Sequence, residues 1–173
     1  MDRTLRQADG LVTDHTDAGG IILDQSLFYP TGGGQPGDSG AVHWRDQILR
    51  IATTLKGEGE QIVLVPAEPA ALPPVGTALR QSLDWDRRFR HMRVHTGLHL
   101  LSVVIPLPVS GGAVSSDKGR LDFDLPEAPA DKEAIEAELQ ALIDRNLPVT
   151  EEWITDADLA ANPGLVKTMS VAP

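Results

Sequence analysis

The sequence predicts an α+β protein in two parts, a small β-barrel-like unit over residues 1–83 and an α+β unit over residues 84–173. Three observations carry that prediction. Short segments rich in Val, Ile and Thr, separated by turn residues, fill the first half. At Asp84 the spacing of apolar residues changes to that of a helix. Beyond Pro106, strand-like and helix-like segments follow one another without any internal repeat.

In the first half, "GLVTDHT" (10–16) and "GIILDQS" (20–26) flank the turn residues "DAGG" and read as a hairpin. "AVHW" (41–44), "QILRIATTL" (47–55) and "EQIVLVP" (60–66) follow as strands, with "RD" and "KGEG" as tight turns. The prolines of "PAEPAALPPVG" (66–76) hold an extended loop, and "TALRQSLDW" (77–85) alternates as one more strand. Short strands at this spacing suggest a barrel or a sandwich.

From Asp84, acidic residues suit a helix N-terminus. Phe89, Met92, Val94, Leu98, Leu101, Val104 and Ile105 recur at helical spacing until Pro106. "VSGGAVSS" (109–116) and "GRLDFDL" (119–125) predict two strands joined by "SDKG". Asp131 caps a helix over 131–146, with Ile135, Leu139, Leu142 and Ile143 as its expected buried stripe. "PVTEEWIT" (148–155) predicts a strand and "DADLAAN" (156–162) a short helix.

The 173 residues suffice for a buried core, and 41% of them are hydrophobic. No cysteine is present, which excludes disulfides and thiolate metal ligands within this sequence. No apolar run reaches the roughly eighteen residues of a membrane span, and "MDRTLRQADG" lacks a signal-peptide core, so a cytoplasmic protein is expected. The net charge of −10 opposes general nucleic-acid affinity. Yet Arg80, Arg87, Arg88, Arg90 and Arg93 crowd one short stretch, a local strip able to meet a few phosphates or simply to be solvated.

"FYPTGGGQPGDSG" (28–40) contains a literal G-x-G-x-x-G at Gly32, Gly34 and Gly37. It is not a dinucleotide signature, because Pro36 and "DSG" stand where that motif starts a helix. Gly32, Gly33 and Gly34 supply backbone free to take positive φ, either for a sharp barrel turn or for close approach of a ligand. Thr31 and Gln35 flank them with a hydroxyl and an amide. In "HMRVHTGLHLL" (91–101), His95 and His99 share one helix face and can grip one metal ion. His91, a turn earlier, is a third ligand or a neighbour, and Asp122 is a carboxylate able to complete such a site.

Together, "FYPTGGGQPGDSG", "RHMRVHTGLHLLSVV" and "GRLDFDL", in this order, resemble the editing domain of alanyl-tRNA synthetase and its free-standing AlaX-type trans-editing relatives. The resemblance covers nearly the whole chain. It implies the α/β editing domain that alanyl- and threonyl-tRNA synthetases share, joined to a β-barrel-like N-terminal part. It also implies hydrolysis of the ester in tRNA(Ala) mischarged with serine or glycine. On this reading Thr31 contacts the serine hydroxyl with Gln35 in support, and Gly32 to Gly34 donate N–H groups to the oxyanion. Arg87, Arg88, Arg90, Arg93, Lys118 and Arg120 meet tRNA phosphates.

The family's zinc would be held by His95 and His99, together with a downstream C-x-x-x-H. The sequence ends at "GLVKTMSVAP" without those ligands. Truncation, with "LVKTMSV" a strand leading onward, is the favoured expectation, and loss of half the site the other. Zinc would either orient the terminal adenosine or activate the water. Two further readings stand beside the editing hydrolase: a tRNA-binding accessory module without catalysis, and a hydrolase of small aminoacyl esters. No G-x-S-x-G or P-loop supports a serine esterase or a ligase, and nothing indicates an oligomeric state.

Overall fold

The computed structural model describes residues 4–127 and 131–165. The chain divides into two compact units, Met1–Met92 with Val114–Asp117, and Arg93–Ala113 with Lys118–Pro173.

The first unit is built on a closed antiparallel barrel of β1 (Gln7–His15), β2 (Ile21–Leu23), β3 (Gly40–Trp44), β4 (Gln47–Lys56), β5 (Ile62–Pro66) and β6 (Ala78–Leu83). Their order around it is β1-β2-β5-β4-β3-β6, so every strand is paired on both sides and no edge is left open. Alternation in β3 and β4 sends Val42, Trp44, Leu49 and Ile51 inward to meet Val12, Ile21, Leu64 and Leu79. Phe28, from the segment after β2, enters the same core and is 1% exposed. The barrel expected from the sequence is therefore present and closed.

α1 (Trp85–Val104) begins where Asp84 offers its carboxylate to the Arg87 N–H, 3.2 Å, as an N-cap does. β7 (Val109–Val114) and β8 (Gly119–Phe123) form a two-stranded sheet, and α2 (Lys132–Asp144) and α3 (Asp156–Ala161) follow. Asp131 caps α2 by accepting from Ala134 N–H at 2.9 Å, as expected.

Two expectations need correction. Residues 148–155 form no strand: no described strand pairs with them, and Trp153 is fully exposed. A lone strand has only water for its backbone groups. The stripe of α2 is not buried, since Ile135, Leu139 and Leu142 are half-buried and Ile143 is exposed. α1 forms as expected, although its apolar positions are not its most buried ones. Phe89 is exposed, and the buried side chains are Arg88, His91 and Ser102. The expected strand "LVKTMSV" lies outside the described residues apart from its first residue, Leu165, which sits in a 3₁₀ turn.

Candidate functional site

The three glycines form a tight hairpin in the first unit. Gly32 and Gln35 exchange backbone hydrogen bonds, Gly32 N–H to Gln35 O at 3.1 Å and Gln35 N–H to Gly32 O at 3.0 Å. Gly33 and Gly34 between them have φ of 57° and 77°, the signs of a type I′ turn, which demands residues free of a Cβ penalty. The N–H groups of Gly33 and Gly34 have no hydrogen-bond partner among the described residues. The Gly32 N–H is spent on Gln35, so it is not a donor for a ligand, and this corrects the expectation that all three amides are available.

Thr31 fastens the hairpin to β4. Its N–H and its hydroxyl both donate to Thr54 O, at 2.8 and 3.1 Å, and its Oγ1 accepts from Gly37 N–H at 2.8 Å. A hydroxyl so placed has given away its proton but keeps a lone pair. Gly37 sits so close to β4 that any Cβ there would overlap Thr54 backbone atoms. Gln35 is buried, and Val114 N–H reaches Gly34 O at 2.8 Å on the other side of the turn.

The arginine strip separates into distinct roles. Arg88 is 8% exposed and pairs with Asp38, itself 1% exposed: Nε lies 2.9 Å from each carboxylate oxygen, Nη2 also contacts Oδ2, and Nη2 donates to Leu27 O at 3.1 Å. Arg88 is thus a structural ion pair and not a phosphate contact, because a guanidinium buried against Asp38 and Leu27 has little surface left to offer a ligand. Arg87 donates to Gly37 O at 2.7 Å and is half-buried. Arg80 pairs with Asp9 and Arg90 with Asp117 on the exposed surface. His91 is 1% exposed beside these groups, and its Nδ1 has no hydrogen-bond partner among the described residues. Burial first, and Arg87 next, hold its pKa below the ordinary imidazole value of 6.5.

In the second unit, His95 and His99 are exposed and stack their rings, with centroids 4.8 Å apart and planes 16° from parallel. Partial desolvation of the His95 ring, and then the neighbouring charge of His99, lower its pKa. The neutral imidazole is the form that binds a metal. The pair fits half of a zinc site. Among the described residues no group of three or more His, Asp or Glu side chains is placed to hold a metal ion, so neither His91 nor Asp122 completes it. Asp122 instead pairs with Arg120 at 3.1 Å on the surface, and Arg93 is exposed. A cleft of about 380 Å³, bordered by Gly19, Val65, Glu68 and Leu72, includes none of these residues.

Sequence reasoning missed Asp38, whose partner lies fifty positions away, and Lys56, which it read only as part of a turn. The "GDSG" around Asp38 gives no local sign of a buried carboxylate.

The family model of class II (A) tRNA synthetases matches residues 6–87. The alanyl-tRNA editing protein AlaX-M of Pyrococcus horikoshii is 38% identical over 133 residues, 73% of this chain and 59% of that protein. AlaX-M of Methanosarcina acetivorans is 33% identical over 159 residues, 86% of this chain and 65% of that protein. An alanine–tRNA ligase of Thermococcus kodakarensis is 33% identical over 149 residues, 80% of this chain but 16% of that enzyme. The chain thus spans about three-fifths of the length of the AlaX-M proteins it matches. Over most of its length it is similar to alanyl-tRNA editing proteins, and the resemblance carried by its motifs is borne out.

Proposed function

We propose that this protein is an aminoacyl-tRNA deacylase that removes serine, and glycine as a second substrate, from mischarged tRNA(Ala) in the cytoplasm. The observation that carries the reading is the glycine hairpin. Two adjacent N–H groups without internal partners, on Gly33 and Gly34, stand beside a threonine hydroxyl in a chain related to editing proteins. An ester needs little more than a placed water and donors for the oxyanion that forms at its carbon. The Gly33 and Gly34 amides supply two such donors at no cost in reorganisation. Thr31 Oγ1 accepts a hydrogen bond from a serine hydroxyl through its remaining lone pair, with buried Gln35 backing the turn. Alanine has no proton to offer there, and a site built around such a bond discriminates by roughly 10⁴-fold or more; glycine, which lacks the hydroxyl too, would be accepted by a weaker route, through its size alone.

Tethering to tRNA falls to Arg87, Arg93, Arg120, Arg90 and Lys118, without Arg88. On a chain of net charge −10 the expected affinity is weak and salt-sensitive. Zinc is part of the proposal, with His95 and His99 as two of its ligands; the Cys and His expected to complete the set are absent from this sequence. Bound there, zinc would supply either orientation of the terminal adenosine or activation of the water.

The test is deacylation of Ser-tRNA(Ala) against Ala-tRNA(Ala) by the full chain, with and without added zinc. Selective release of serine is expected. Binding of both tRNAs without hydrolysis would instead identify an accessory module, and hydrolysis of free serine esters at the same rate a small-ester hydrolase.

A further inference from the structure

β4 ends on Lys56, two residues past Thr54 on the same side of the strand, and Thr54 is where Thr31 and the glycine hairpin are fastened. The lysine side chain consequently runs alongside Gly32. A Cβ built on Gly32 would lie 3.3 Å from Lys56 Cε and 3.6 Å from its Nζ. Lys56 is exposed, and its ammonium makes no ion pair or hydrogen bond among the described residues. On the other side, the Tyr29 hydroxyl donates to Gly32 O at 3.4 Å. Gly33 at the tip is open, with nothing within 4 Å of an added Cβ. An ammonium without a partner among the described residues therefore lies against Gly32, in the same hairpin that carries the Gly33 and Gly34 amides, on a protein whose nearby arginines are largely engaged.

We propose that Lys56 is a phosphate-binding residue that holds the 5′-phosphate of the terminal nucleotide while the hairpin amides face the ester on the same ribose. The assignment of the ligand rests on the editing reading, whereas the presence of an anion site at Lys56 does not. A solvated, mobile ammonium suits a permanent anion such as a phosphodiester, which lysine binds as a point charge. It suits a transient oxyanion poorly, because that task requires donors fixed in advance, as the backbone of Gly33 and Gly34 is. The glycine at position 32 is what lets the lysine lie flat against the turn.

The deciding experiment titrates the full chain with adenosine 5′-monophosphate and, separately, with adenosine, following amide resonances of Gly33 and Gly34 by NMR. The two probes differ only in the phosphate. Lys56→Ala is expected to weaken the monophosphate about tenfold, the scale of one charged hydrogen bond, and to leave adenosine unchanged. Lys56→Arg should restore most of the loss. Affinity for the monophosphate should also fall less steeply with salt in Lys56→Ala than in the parent, because one charge pair fewer is there to be screened. The proposal is overturned if the parent does not bind the monophosphate, if Lys56→Ala binds it equally well, or if both probes weaken together. None of these readouts needs catalysis. A Lys56-dependent phosphate site in a protein that fails to deacylate Ser-tRNA(Ala) would uphold the anion site at Lys56 and refute the editing reading, and with it the terminal nucleotide as the ligand.

Discussion

Arg88 on α1 closes its guanidinium over the Asp38 carboxylate at the end of the glycine segment, and both side chains are almost completely buried. Asp38 also accepts the Tyr29 N–H at 2.6 Å, and Arg88 also binds Leu27 O. The pair thereby pins the whole 27–38 segment to the start of the helix. Removing one partner strands a buried charge. Arg88→Ala or Asp38→Ala is expected to cost about 3–5 kcal/mol in chemical denaturation, more than either surface pair around Arg80 or Arg90. A loss under about 1 kcal/mol would show that the pair is not structural.

The glycines of the hairpin differ in what they tolerate. Gly37→Ala forces a methyl into the Thr54 backbone and should destabilise the barrel strongly. Gly33→Ala meets open space and suffers only from its positive φ, a cost of roughly 1–2 kcal/mol. Thermal unfolding of the two variants should therefore rank Gly37→Ala well below Gly33→Ala. The reverse order would contradict the placement of the segment on β4.

Metal binding gives a third test. Replacing both His95 and His99 by alanine should abolish zinc uptake, since the described residues offer no other histidine cluster to replace them. Metal analysis after dialysis against zinc is the measurement. Undiminished zinc in the double variant would remove the pair from the ligand set.

His91 makes stability depend on pH. Its folded pKa lies below 6.5 because burial, Arg87 and Arg88 oppose its charge more than Asp38 and Asp84 favour it. As the pH falls through 6.5, the unfolded chain takes up this proton first, so stability is lost progressively from there down to the folded pKa and is fully present above 6.5. Denaturation midpoints at pH 7.5 and 5.5 should differ in that sense, and His91→Gln should flatten the dependence. His95 contributes with the same sign, so some slope persists. An equally steep dependence in His91→Gln would clear His91 of the effect.

Much of this protein was legible in the residues alone. The Val-, Ile- and Thr-rich strand segments from β3 to β6, the turn residues between them, the acidic start of α1, the Asp131 cap and the paired His95 and His99 are all local patterns, written within a turn or a strand length. Local rules go no further than the chain segment they describe. Which apolar face is covered depends on partners, so the stripe of α2 and the strand over 148–155 were expected from pattern and are absent for want of a neighbour.

The sequence by itself determined the barrel, the long helix and the editing-family motifs, because each is encoded by near neighbours in the chain. Only the tertiary structure decided the fate of the charges and donors. It buried Arg88 against Asp38, spent the Gly32 N–H on Gln35 while leaving those of Gly33 and Gly34 free, and laid Lys56 beside the turn. Those outcomes join residues some twenty to fifty positions apart, or depend on the sign of φ at a single glycine. Whether a polar group serves the fold or faces a ligand depends on what closes around it, and that is known only once the chain has closed.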